Sequence, residues 1–223
     1  TNGFVWEAER RLVTADEYSP ACKNDGIVFA GVHGAGLFRS TNGGKSWQHV
    51  GTGIGAGNQM RVSVSPAFAT DRTVVAGNSS GLYLSSDGGD SWQSVGKDAL
   101  GDSANIVCLD MSPDFAEDQT IIFGVFGRGL WITTDAGKTV RPIGSPLIRH
   151  NFQAKFVSFS PNYSQDQLIY CASPYEVFRS SDGGERWSWM PRPIRYENIR
   201  EEIKYRGNWE TLRNSANSAL SAS

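Results

Sequence analysis

A few residues of this 223-residue chain have side chains suited to chemistry or recognition. Asp110 stands in an apolar strand between Leu109 and Met111, where two matching strands carry Ser63 and Ser158. An acid there is placed to face a central channel, which makes Asp110 the candidate catalytic residue. Glycoside hydrolysis, however, needs two carboxylates about 5–10 Å apart across the sugar, and the matching strands supply no second acid. The competing reading is a hydrogen-bonded strand aspartate. His33, Phe126 and Tyr175 hold one repeated loop position and form a candidate binding face, because such rings stack on sugars or peptides. Ordinary loop packing is the alternative. Gly53-Ile-Gly-Ala-Gly57 has the composition of a phosphate loop but lies between two strands rather than before a helix. His33, His49 and His150 lack ligand spacing, and Cys22, Cys108 and Cys171 fall at three different repeat positions without a CxxC. The cysteines read as small buried hydrophobes, and neither metal nor cofactor is expected.

Composition narrows the partners. Lys and Arg total 21 against 23 Asp and Glu, a net charge of −2, and the basic residues are scattered. That distribution leaves no nucleic-acid footprint. No apolar run is long enough to span a membrane. The chain starts at Thr1 without a Met, so a processed or excised start is expected.

The elements that position these residues come from a repeat. Four segments match: Ser40-Thr-Asn-Gly-Gly-Lys-Ser-Trp47, Ser85-Ser-Asp-Gly-Gly-Asp-Ser-Trp92, Thr133-Thr-Asp-Ala-Gly-Lys-Thr-Val140 and Ser180-Ser-Asp-Gly-Gly-Glu-Arg-Trp187. Their starts are 45, 48 and 47 residues apart. A second motif keeps phase with them, from Ser19-Pro20 to Asp25, Ser65-Pro66 to Asp71, Ser112-Pro113 to Asp118 and Ser160-Pro161 to Asp166. An apolar strand follows each of those aspartates, and a third strand follows Gly36, Gly81 and Gly129. The Gly-rich octad then turns into a fourth strand. Four short strands in about 45 residues make one blade of a β-propeller.

The octads resemble the Asp box, Ser-x-Asp-x-Gly-x-x-Trp, of sialidases, xyloglucanase-type glycosidases, sortilin-type receptors and photosystem II assembly factors. The resemblance covers about residues 12–196 and implies an all-β propeller of four blades, either an incomplete ring or a closed one. It also implies that the octads are structural turns remote from any active site. Physical chemistry agrees: Asn42, Asp87, Asp135 and Asp182 can accept N–H bonds within their own turns. Gly44, Gly89, Gly137 and Gly184 supply positive φ, and Trp47, Trp92 and Trp187 plug the space between sheets. The third octad departs from the pattern at Thr133, Ala136 and Val140, so its blade is expected to be the least tightly plugged. The N-terminal Phe/Tyr-Arg-Ile-Pro motif of sialidases is absent, and Arg39 and Arg179 do not recur as an arginine triad.

The expected organisation is a remnant strand over 1–11, blades over 12–57, 58–104, 105–150 and 151–196, and a linker or tail over 197–223. The stretch Ile203-Lys-Tyr-Arg-Gly-Asn-Trp209 and its Ser-rich sequel resemble the opening of a galactose-binding-like β-sandwich. The expected function is a non-enzymatic recognition or scaffolding module of a glycan-associated protein, extracellular or periplasmic, with a glycan or protein ligand. A glycoside hydrolase fragment is the alternative, and a photosystem II-type assembly factor the second.

Overall fold

The structure, a computed structural model, describes residues 13–55, 57, 60–101, 103–144, 154–174 and 176–190. The chain divides into two compact units, Thr1–Trp189 and Met190–Ser223. Among the described residues the fold is all-β, with four antiparallel sheets of four strands each. Sheet 1 comprises β1 (Val13–Tyr18), β2 (Ile27–Val32), β3 (Gly36–Thr41) and β4 (Gln48–His49). Sheet 2 comprises β5 (Arg61–Val64), β6 (Val74–Asn78), β7 (Gly81–Ser85) and β8 (Gln93–Val95). Sheet 3 comprises β9 (Ile106–Met111), β10 (Ile121–Val125), β11 (Gly129–Thr133) and β12 (Arg141–Ile143). Sheet 4 comprises β13 (Phe156–Phe159), β14 (Ile169–Ala172), β15 (Val177–Ser180) and β16 (Ser188–Met190). Within each sheet the strands lie in chain order. The first strands abut in series, β1 on β5, β5 on β9 and β9 on β13. This is the arrangement of propeller blades. The regions proposed as an N-terminal remnant and as the start of a β-sandwich lie outside the described residues.

Period-2 alternation with a core on each face explains why the second strand of each sheet is predominantly apolar. Val74 packs toward sheet 1 with Phe29 and Phe68, while its neighbour Val75 packs toward sheet 3 with Ile106 and Phe123. Ile121 and Ile122 divide likewise between the cores on either side of sheet 3. Each strand residue therefore serves one of two cores, and a polar residue on either face would be buried. Cys108 and Cys171 fill the core between sheets 3 and 4. Burial pushes the Cys108 thiol up to about 12 and raises that of Cys171. Both thiols are thus held protonated and unreactive.

The Ser-Pro-to-Asp segments are single helical turns. These are α1 (Cys22–Asp25), α2 (Phe68–Asp71), α4 (Phe115–Asp118) and α5 (Tyr163–Asp166). A further turn, α3 (Lys97–Leu100), lies between sheets 2 and 3. The cause is local. Ser65 Oγ donates to Asp71 Oδ2 at 2.5 Å and accepts the Ala67 N–H, while Asp71 Oδ1 accepts the Thr73 N–H at 2.9 Å. Two side chains six residues apart thereby close the backbone into one turn.

Candidate functional site

The two repeated motifs meet at one end of each sheet. In the second Asp box, Ser85 Oγ donates to Asp87 Oδ1 (2.7 Å) and accepts the Gly89 N–H (2.8 Å). Asp87 Oδ1 also accepts the Ser91 N–H (2.9 Å), and Oδ2 accepts the Ser91 hydroxyl (2.5 Å). The first, third and fourth boxes repeat the scheme with Ser40–Asn42–Gly44, Thr133–Asp135–Gly137 and Ser180–Asp182–Gly184. The Gly88 N–H then donates to the Arg72 carbonyl at the close of α2. Gly43, Ala136 and Gly183 do the same to Gly26, Gln119 and Gln167. This bond is why the two motifs keep phase in the sequence.

Each later box also seats on the preceding sheet. Trp92 Nε1 donates to the Val50 carbonyl at 2.6 Å, and Trp187 is buried beside Ile143. A Cβ on Gly137 would fall 2.6 Å from Val95, and one on Gly184 would fall 2.8 Å from Ile143, so only glycine fits there. The Val140 junction is closed by close approach: a Cβ on Gly96 would lie 2.6 Å from Val140 Cγ2. Trp47 is only partly buried, and Gly44 meets nothing within 4 Å beyond Trp47 itself. Hydrogen bonds to the charged form hold the box aspartates below the usual carboxylate range. For Asp87 these come first from the Ser91 hydroxyl and then from the Ser91 N–H and Ser85. For Asp182 the Arg186 N–H contributes most.

Asp110 joins two sheets. Its Oδ2 accepts the Phe159 N–H of β13 at 2.9 Å, and Oδ1 accepts the Met111 N–H at 3.0 Å. Two further side chains, not singled out from sequence, span the other inner-strand junctions. Arg61 Nε donates to the Val107 carbonyl of β9 at 2.9 Å, and burial lowers the Arg61 pKa. Thr14 Oγ1 accepts the Met60 N–H at 3.2 Å. These contacts join residues 46 to 49 positions apart, a reach that no local spacing advertises.

The opposite end of the sheets holds the proposed binding face. His33 and Phe126 are exposed there, in the turns that precede β3 and β11, and they make no ring contact with each other. Tyr175 lies outside the described residues. In sheet 2 the same turn reads Ser79-Ser80, and it borders a cleft of about 250 Å³. Gly53, Gly55, Ser80, Tyr83, Ser94 and Lys97 line the cleft, with Leu100 and Ala104 at its apolar side. Buried Asn78 fixes the wall: its Nδ2 donates to the Gly55 carbonyl at 2.6 Å, and its Oδ1 accepts the Ser80 N–H at 2.7 Å. Arg128 fixes α3 from the other side by donating to the Leu100 carbonyl at 2.7 Å. The glycine run thus lines a cleft instead of preceding a helix. Its lining residues offer hydroxyls, one ammonium and one phenol, and none of them is a carboxylate or imidazole. Among the described residues no group of three or more His, Cys, Asp and Glu is placed to hold a metal ion. No helix among them is long and apolar enough to cross a membrane.

The family described as Sortilin, neurotensin receptor 3 matches residues 35–173. No curated protein matches the chain. Among solved structures, an ancestral GH74 enzyme aligns with 82% of this chain and 24% of its own, at 20% identity and a TM-score of 0.63. The GH74 enzyme of Niastella koreensis aligns over 81% of this chain and 29% of its own, at 23% identity and a TM-score of 0.60. YCF48 from Cyanidioschyzon merolae aligns over 74% and 56%, at 18% identity and a TM-score of 0.50. The chain therefore spans less than a third of the length of the two GH74 enzymes. At these identities the likeness is one of fold.

Proposed function

Because this chain belongs to the sortilin, neurotensin receptor 3 family, we propose that it is a non-enzymatic recognition module of a larger extracellular or periplasmic protein, with a glycan or protein ligand. The observation that carries this reading is the cleft at the turn end of sheet 2. Its Ser80 and Ser94 hydroxyls, the Tyr83 phenol, the Lys97 ammonium and glycine backbone suit hydrogen bonding to a polar ligand. His33 and Phe126 extend the same end of the array with exposed rings. The description of the family as a receptor supports binding over turnover.

The second reading, part of a glycoside hydrolase, is favoured by the shared fold of the GH74 enzymes. Against it stands Asp110, whose two oxygens are both occupied by backbone N–H donors.

One experiment separates the two. Wild type, Ser94→Trp and Asp110→Asn are titrated with xyloglucan oligosaccharides and a library of short peptides, and assayed with fluorogenic β-glucoside and sialoside substrates. The recognition reading expects a ligand that raises the melting temperature of wild type and binds Ser94→Trp at least about tenfold more weakly, 1.4 kcal/mol. Hydrolysis by wild type that disappears in Asp110→Asn would overturn it.

A further inference from the structure

The cleft at the turn end of sheet 2 holds a hydroxyl that packing does not require. Tyr83 takes the strand position that Phe38, Trp131 and Phe178 hold in the other sheets. It is 8% exposed and lines the cleft, and among the described residues its hydroxyl makes no hydrogen bond. Trp131, equally buried, has its one donor taken by the Arg128 carbonyl. A phenylalanine would fill the space of Tyr83 without the cost of an unmatched polar group. The hydroxyl lies over the glycine loop: a Cβ on Gly55 would fall 2.6 Å from Tyr83 Oη, and one on Gly81 would fall 3.7 Å from it. Both glycines line the cleft, so the phenol points into it.

Acceptors of the surrounding wall are already engaged. Asn78 Nδ2 holds the Gly55 carbonyl, Arg128 holds the Leu100 carbonyl, and the Gly101 N–H donates to the Lys97 carbonyl at 2.7 Å. Asn78 Oδ1 accepts the N–H groups of both Ser80 and Gly81. The polar side chains of the lining, Ser80, Tyr83, Ser94 and Lys97, can all donate, and the only charge among them is positive. Such a wall suits a ligand rich in acceptors and negatively charged. A peptide would bring backbone N–H groups in need of acceptors, whereas the ring and hydroxyl oxygens of a sugar accept. The volume of about 250 Å³ lies below the roughly 300–1,000 Å³ of drug-sized sites, which is room for one ring.

We propose that this cleft binds one acidic sugar residue of a polysaccharide, a hexopyranose bearing a carboxylate or sulfate group. The Lys97 ammonium pairs with the anion, the Tyr83 hydroxyl donates to a sugar oxygen, and Leu100 and Ala104 cover the C–H face of the ring. The inference rests on the recognition reading above and narrows its ligand.

Melting-temperature titrations of wild type, Tyr83→Phe and Lys97→Gln test this with methyl β-glucuronide, a glucose sulfate ester, methyl β-glucoside and tetraglutamate. Wild type is expected to bind both acidic sugars at least about tenfold more tightly than the neutral glucoside. Lys97→Gln is expected to erase that preference. Tyr83→Phe is expected to bind the acidic sugars about three- to tenfold more weakly while melting no lower than wild type without ligand, a combination that lost packing would not give. Equal binding of neutral and acidic sugars would overturn the proposal, as would tighter binding of tetraglutamate than of either acidic sugar, and the recognition reading would survive both. Binding of acidic sugars that neither variant alters would also overturn it. If none of the four probes binds, the proposal falls, and the recognition reading falls with it only when xyloglucan oligosaccharides and the peptide library fail too.

Discussion

At one end of every sheet the same bonds appear four times: a buried Ser or Thr hydroxyl, a short acid or amide, and two glycine or alanine positions tied to a helical turn. At the other end the turns read His33-Gly34-Ala35, Ser79-Ser80 and Phe126-Gly127-Arg128, and no two are alike. The first end satisfies its own polar groups; Ser40, Ser85, Thr133 and Ser180 are each at most 2% exposed, and each is hydrogen-bonded. A buried hydroxyl without partners costs free energy, so repetition there answers to stability. The second end leaves side chains facing solvent and forms the cleft, and no shared set of bonds constrains its sequence.

That contrast can be broken most visibly at the Ser–Asp turns. Asp71→Ala removes both the Ser65 and Thr73 bonds and should cost about 3 kcal/mol, roughly 10 °C in melting temperature. Phe126→Ser, at the opposite end, should change stability by no more than about 0.5 kcal/mol. Thermal unfolding of both checks this. Equal losses would mean that the two ends are not divided in this way.

Acid should act on the box end in particular. The Asp87 carboxyl is held well below its ordinary range by Ser91 and Ser85. Asp135 is also lowered: burial opposes the shift, but the bonds from Thr139 and Thr133 prevail. A depressed native pKa means that the unfolded chain takes up its proton first as pH falls. The stabilisation is therefore complete above the unfolded value of about 4 and is lost as pH drops toward the folded one. Urea midpoints should be steady from neutral pH to about 5 and fall below about 4. Asp87→Asn should make that fall shallower, and an unaltered slope would remove Asp87 from the account.

The smallest effect sharpens the comparison among the turns themselves. Gln119 closes α4 at φ +50°, where sheet 1 uses Gly26 at φ +64°. Glycine relieves the left-handed strain but frees the unfolded chain. Gln119→Gly is expected to net a gain of about 0.5 kcal/mol, seen as a slightly higher melting temperature.

The four-sheet architecture was legible because both motifs recur with a 45- to 48-residue period and lie on strands whose alternation is local. The helical character of the Ser-to-Asp segment was not, because four residues give no period to read; only the 2.5–2.6 Å Ser–Asp bonds reveal it. Thr14 and Arg61 were missed for a different reason. Their partners are backbone atoms of Met60 and Val107, and backbone atoms leave no mark in a sequence. The same holds for Asp110, whose chemistry drew attention while its acceptors' donors, Met111 and Phe159 N–H, were invisible. The cleft escaped notice because three separate stretches build it, and its sheet carries serines where the neighbouring turns carry His33 and Phe126.

The outer strands have a consequence for how this protein behaves when crowded. β4, β8, β12 and β16 are only two or three residues long, and Pro142 sits within β12. A sheet margin recruits other chains into fibrils through a row of unpaired N–H and C=O groups, and the recruitment weakens as the row shortens or loses a donor. Among the described residues, the four sheets thus end on their outer side in blunt margins that offer little template for amyloid growth.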